Sequence, residues 1–470
     1  MDTKNNQDMY RYRLLASVVM EAAAPLAAGS GQKSIMTDAT VARDANGLPY
    51  IPGTSIAGVI RHAMKKHADM DKWMGFQRAT DGKGDKEDKG QGSLLAVTEA
   101  RILGSDGSPA DGLIPDPFKD PLLSHLKVLP IRQHVRLTHK GVADNRGKFD
   151  EEVVPEGARF TFEMELLSDS ADREQSERLM DDIIGCIRAD SFRLGGGSRS
   201  GFGKMRIVSV GRRTIDLQDK ADLADYLGKS SRLDPAWKGW KSDSSPEKVR
   251  DGDFISYTLT IRPEDFMFFG SGFGRGEADM TYVRNPAIAW DSGKGTFVSE
   301  DQLILIPASS VKGALSHRTA YWYNMLEGVF ADKLPPDEIA EHTGDRNTAV
   351  RALFGTAGDG HGENKARGLA LFSDVTAKKT SGTRDKVLNH VSIDRFTGGA
   401  IDGALFNEET LFAKGTEFTL EILVSKEAEK EPNVLKAFEK ALDDVKDGIL
   451  PLGGGVNRGN GTFRGSWRKE

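Results

Sequence analysis

At 470 residues the chain exceeds one ordinary core, and the usual size of roughly 100–200 residues per domain predicts at least two domains. Hydrophobic residues make up 38% and charged residues 29%, which excludes a disordered chain. The 64 Lys and Arg are outnumbered by 70 Asp and Glu, so the global field does not attract a polyanion and any such site must come from local patches.

In chain order, a polar opening leads into the apolar run LLASVVM, which stops at Glu21. This predicts no secretory segment, and no stretch reaches the ~18 apolar residues of a membrane span, so a soluble cytoplasmic protein away from membranes is expected. Cys186 is the only cysteine, which excludes an internal disulfide, a CxxC zinc site and an iron–sulfur cluster. Residues 11–20 read as a strand, followed by a long glycine-bearing loop. A helix is expected after Pro52, with Ser55 as its N-cap and Ile56, Val59, Ile60 and Met64 at helical spacing. Residues 80–92, almost all Gly, Asp, Lys and Glu, read as a mobile surface loop before a strand at 94–99. A strand at 160–166, a helix over about 171–189 and a glycine loop at 191–206 complete the first series.

The polar stretch 213–250 reads as a linker with one short helix near 217–227. The same order then returns: strand 254–261, helix after Pro307, insertion 356–367, strand 369–374, strand 418–424, helix 432–445 and glycine loop 451–469. Four matches support a duplication. Ile51–Gly58 recurs as Ile306–Gly313, His134-Val135 as His390-Val391, Gly157–Glu163 as Gly415–Glu421, and Leu194–Gly201 as Leu452–Gly459. The expected domains are 1–212, the linker 213–250, and 251–470. The order of strands and helices in each half is that of a ferredoxin-like fold, giving an α+β protein of two tandem modules.

Glycine is abundant, 52 of 470 residues. The loops SFRLGGGSRSGFGKMR and PLGGGVNRGNGTFRGSWRK are rich in Gly and Arg, so they suit either a phosphate cradle or a turn packed against its neighbours. Neither is a Walker loop. The nine histidines offer no HxxxH pair, and His134 and His390 are expected to pack or hydrogen-bond rather than to bind metal.

Gly47-Leu48-Pro49-Tyr50-Ile51-Pro52-Gly53-Thr54-Ser55 at one end and the LGGG-x-x-RG-x-G loop at the other resemble the RAMP superfamily of CRISPR proteins, most closely the repeated backbone subunit of type III effector complexes. Leu353-Phe354-Gly355 and Ile393–Ala400 extend the resemblance through the second half. It implies RRM-like palms that bind the backbone of a CRISPR guide RNA, hairpin thumbs that interrupt guide–target pairing, and other effector subunits as partners. It also implies cleavage of complementary target RNA by an aspartate in the loop before the IPG motif, which Asp38 matches. Asp38 is accordingly the expected catalytic residue, acting as base or holding a divalent cation such as Mg2+ or Mn2+. The expected RNA-binding residues are Arg43, Arg61, Arg199, Lys204, Lys312, Arg318, Arg395 and Arg458. Aligning Ala42-Arg43-Asp44 with Ala289-Trp290-Asp291 puts Asn285 in the place of Asp38 and makes the second module a non-cutting binder; a different threading would use Asp279. Two other functions remain open on sequence, a non-catalytic scaffold and a guide-processing endoribonuclease using His134 or His139.

Overall fold

The computed structural model describes residues 10–35, 37–67, 69–77, 90–243, 251–356 and 365–470. Most of the 80–92 and 356–367 insertions, and the end of the expected linker, lie outside the described residues. Each insertion nonetheless springs from a two-stranded stem, Phe76–Gln77 with Gly90–Gln91 and Gly355–Thr356 with Ala366–Arg367. Among the described residues no helix is long and apolar enough to cross a membrane.

The spine of the first module is Tyr12–Ala22, an almost wholly buried strand. It pairs antiparallel with Met205–Asp216 on one side and Arg159–Ser168 on the other. The short strands Leu95–Val97 and Ala100–Ile102 lie beyond Arg159–Ser168. In the second module Phe254–Pro263 lies between Phe463–Lys469 and Phe418–Ser425, with Ala370–Phe372 outside the latter. Both modules are therefore mixed α/β units whose antiparallel sheets run in the same spatial order, counted along the chain: fourth, first, third, second.

Alternation decides which face of each sheet is covered. In Arg159–Ser168 the side chains of Phe160, Phe162, Met164 and Leu166 are buried, whereas Glu163 and Glu165 point to the other face. Against the apolar face lie Gly53–Ala63, through Ile56 and Ile60, and Arg173–Arg188, through Leu179, Ile183 and Ile187. Ala308–Leu326 and Val434–Lys446 do the same in the second module with Val311, Leu315, Phe438 and Leu442. Burying each such side chain contributes about 1.5–3 kcal/mol. Ser55 is not the N-cap: the first helix begins at Gly53 after Pro52, and Ser55 sits exposed in its first turn. Close approach dictates this start, because a Cβ on Gly53 would lie 2.3 Å from the carbonyl oxygen of Val97.

The segment read as a linker is folded onto the first module over 213–243. Residues 213–216 finish the strand Met205–Asp216, Lys220–Gly228 is a helix whose N-cap Asp219 accepts from the amides of Ala221 and Asp222, and Lys241–Asp243 pairs with the sheet edge. The expected boundary at 212 thus cuts through a strand. The boundary at 251 is crossed too, because the hairpin Ala287–Asp291/Lys294–Val298 packs on the first module. Trp290 Nε1 donates to Gly157 O at 2.7 Å, Ile288 joins the first core, and Phe297 stacks on His125 at 3.9 Å.

The main joint between modules is made by the first glycine loop. Asp374 is fully buried, accepts from Arg132 Nη1 at 2.9 Å and from the amide of Ala308 at 2.8 Å, and its own amide donates to Gly201 O. Arg193 reaches Ser373 Oγ, Arg199 donates to Gly368 O, and Lys204 pairs with Glu421. Removing one partner of a buried ion pair leaves the other uncompensated. Arg132→Met and Asp374→Asn are each expected to cost about 3–5 kcal/mol, read as a lowered urea midpoint.

Candidate nucleic-acid interface

Asp38 lies at the foot of the hairpin Ile131–Leu137/Ala143–Glu152. Its amide donates to Asp150 Oδ1 at 2.9 Å, and the amide of Asp150 returns a bond to Asp38 Oδ2 at 3.3 Å. A parallel bridge from Ala39 to Glu151 fixes the register. The Asp38 side chain is half-exposed, with Lys33 Nζ 4.0 Å away.

In the second module the same place is taken by Asp279. Met280 bridges Glu408 in parallel, and Asp279 Oδ2 accepts from the amide of Asn407 at 2.8 Å. The hairpin registers coincide, since Arg132, Gln133 and His134 face Glu151, Asp150 and Phe149 as Leu388, Asn389 and His390 face Glu408, Asn407 and Phe406. The bridges Gly29 to Val41 and Gly270 to Tyr282 are also equivalent, as are the hydroxyl pairs Ser30–Thr40 and Ser271–Thr281. The alignment of Asn285 with Asp38 is therefore wrong. Asn285 is buried, and neither its Nδ2 nor its Oδ1 has a hydrogen-bond partner among the described residues. Trp290-Asp291 belongs instead to the hairpin packed on the first module. A sequence signal existed: Gly29-Ser30-Gly31 and Gly270-Ser271-Gly272 stand 241 positions apart, like Asp38 and Asp279.

A half-buried histidine stands in the first strand of each hairpin. His134 stacks on Phe149 and its Nε2 is 3.1 Å from Glu151; His390 stacks on Phe406, with Glu408 at 3.9 Å. Both brace the hairpin bases through these ring contacts. His139 is exposed at the first hairpin turn, beside His317. Among the described residues no group of three or more His, Cys, Asp or Glu converges as a metal site.

The first turn of each glycine loop packs against its own module. Gly195 and Gly453 have positive φ, and a Cβ on either would lie 2.4 Å from a carbonyl oxygen, of Ala27 and Phe268 respectively. Their neighbours Gly196 and Gly454 donate to those same carbonyls. These backbone groups are spent inside the fold and do not cradle phosphate.

Cations gather instead at the seam between modules. Arg199, from the first loop, is held by Gly368 O; Lys312 Nζ, on the second module's helix, lies 3.4 Å from Ser200 Oγ; Arg367 Nη1 lies 3.4 Å from His62 Nε2. None of Arg199, Lys312 or Arg367 has a carboxylate partner among the described residues. Burial and then the charge of Arg199 push the Lys312 ammonium down to about 8. Burial and then Arg367 lower Arg199, while His62 is lowered by burial, Arg367, Lys65 and Arg199. Four cationic side chains and a histidine, drawn from both modules, thus share one neighbourhood in which like charges disfavour one another. Arg199 and Lys312 were expected from sequence. Arg367, His62 and Lys65 were not, because only the docking of the modules brings them together.

The other expected residues lie elsewhere. Arg43 braces its own loop through Gly47 O and Leu126 O, and Arg61 holds Gly75 O and Asp71. Lys204 is in the joint, Arg318 pairs with Asp444 across two helices, and Arg458 pairs with buried Glu408. Arg395 stands exposed at the tip of the second hairpin, next to the almost fully exposed Phe396.

A family model of the RAMP superfamily matches residues 19–206 and again 292–464. The chain belongs to the RAMP superfamily. RAMP proteins bind CRISPR RNA and other subunits of CRISPR complexes, and the duplicated match makes this a two-module CRISPR-associated RNA-binding protein. No curated protein matches the chain.

The seam makes two predictions. Lys312 loses its proton near pH 8 in the free protein. A bound phosphate raises that pKa, so RNA affinity should fall as pH rises through about 8 and Lys312→Met should remove this step. The folding contribution runs the other way: an unfolded lysine holds its proton to about 10.4, so stability rises with pH between the two values. In salt titrations of RNA binding, Arg199→Ala and Arg367→Ala should each reduce the slope by about 0.7.

Proposed function

We propose that the chain is a guide-RNA-binding backbone subunit of a type III CRISPR effector complex and that it cleaves complementary target RNA at two places, using Asp38 and Asp279. Each module is a ferredoxin-like, RRM-like palm carrying a hairpin thumb. The guide backbone follows the cationic seam of Arg199, Lys312 and Arg367, and the hairpins, whose exposed faces include Val135, Phe149, Val391 and Phe396, press apolar side chains toward the paired strands. The observation that carries the reading is the repeated carboxylate: Asp38 and Asp279 stand at the base of equivalent hairpins in equivalent hydrogen bonds.

RNA supplies its own nucleophile. The 2′-oxygen attacks the adjacent phosphorus, the bond to the 5′-oxygen breaks opposite it, and the products are a 2′,3′-cyclic phosphate and a 5′-hydroxyl that takes a proton from water. The carboxylate accepts the 2′-proton, and the hairpin holds the scissile step in line. Asp38 with Asp150 could hold a divalent cation, Mg2+ or Mn2+, that lowers the 2′-hydroxyl pKa and neutralises the phosphate. In the second module Asn407 stands where Asp150 does, so Asp279 offers a single carboxylate, and in both modules most ligands would come from substrate and water.

The test is cleavage of a complementary RNA by the guide-loaded complex. Asp38→Ala should remove one cut and Asp279→Ala the other, each by about 10²-fold or more, while target binding survives. Asn285→Ala should leave both cuts. Full cleavage by the double variant would sink the catalytic assignment, and absence of cleavage by the wild-type complex with guide retained would leave the scaffold reading.

A further inference from the structure

The two modules have the same sheet, but its open face is covered differently in each. On the second module that face receives the glycine loop of the first: Gly201 bridges Ser373, Arg193 reaches Ser373 Oγ, and Lys204 pairs with Glu421. Glu421 occupies the sheet position of Glu163, since Thr258 faces Glu421 as Ser17 faces Glu163. On the first module Glu163 also has a lysine, but it is Lys229, 2.6 Å away and from the chain's own segment. Tyr226 bonds the neighbouring Glu165 at 2.8 Å, and the amide of Leu233 donates to Asp111. Trp240 covers Gly211, its Nε1 donating to Asp234 O.

The receiving groups persist on the first module. Thr98 and Glu99 hold the places of Ser373 and Asp374, because Leu95–Val97 pairs with the third strand in the register of Ala370–Phe372. At the opposite end of the chain the donating groups have gone. The places of Arg132, Arg193, Arg199 and Lys204 are taken by Leu388, Pro451, Asn457 and Thr462. Gly459 of the second loop is exposed, whereas its counterpart Gly201 in the first loop is buried.

We propose that residues 217–243 are a built-in cap which takes the place of a preceding module on the first module's sheet, with Lys229 standing in for Lys204. The chain then ends a head-to-tail stack on that side, and the internal joint is not repeated between copies. This rests on the reading that such modules stack in effector complexes, but its test needs neither guide nor cleavage, so retention of RNA on purification reports on that reading separately.

Hydrogen exchange on the wild-type chain should find amides of 217–243 protected together with strand Arg159–Ser168; exchange at the rate of an open tether would overturn the proposal. For docking, a full-length chain with Leu388→Arg, Asn457→Arg and Thr462→Lys is mixed in sedimentation runs with wild type, or with a chain carrying Lys229→Glu and Trp240→Ala to release the cap. Association at least 10-fold tighter with the uncapped chain is expected. Equal affinity for both would show that the segment caps nothing, and association with neither would show that the face receives no module. Head-to-tail oligomers of the wild-type chain through this face would equally refute it.

Discussion

The Arg132–Asp374 pair governs how this molecule is put together. Two opposite charges at 2.9 Å, both almost wholly removed from water, carry a desolvation penalty that only a fully satisfied environment offsets. Asp374 has that environment in the amide of Ala308, and Arg132 has the ring of Phe202 5.5 Å below its guanidinium. Because each group comes from a different module, neither is satisfied unless the modules meet in one relative placement. Burial favours the neutral form of Asp374, and Arg132 opposes it. The pair therefore acts less as adhesive than as a register mark.

The same docking reassigns the glycine-rich loops. Loops rich in glycine and arginine invite a phosphate-binding interpretation, yet the amides of Gly196 and Gly454 bond the carbonyls of Ala27 and Phe268, and Gly201 lies where a Cβ would come within 2.2 Å of the Asp374 carboxylate. The first loop carries Arg199 into the neighbourhood of Lys312 and Arg367, and so turns a joint between protein modules into a cationic seam.

Most of the fold was legible in the sequence because it is written twice. Alternation in FTFEMEL and FTLEILV located the third strands, and the offsets between halves located the duplication. What failed were features that depend on contacts across the chain. The stretch 213–243 looked like a tether because its composition is polar, but Asp219, Tyr226 and Lys229 use that polarity to cap a helix and cover a charged sheet face. Trp290 looked like part of a repeated loop because its neighbours matched by type, whereas its indole serves the other module. Asp38 is expected from the resemblance of the loop before the IPG motif, and its structural counterpart Asp279 only as an alternative, since the loops after the two aspartates differ in length and the Gly-Ser-Gly signal before them is short. Lys65 and Arg367, far apart in sequence, could not have been joined by any local rule.

A joint held by a buried ion pair sets the separation of Asp38 and Asp279. On the proposed chemistry the protein then works as a ruler: the stretch of target between its two cuts has a length set by the geometry of the folded chain and not by the target's sequence. Fusing the modules into one polypeptide makes that interval independent of protein concentration. Two separate subunits would keep it only while they remained bound to one another.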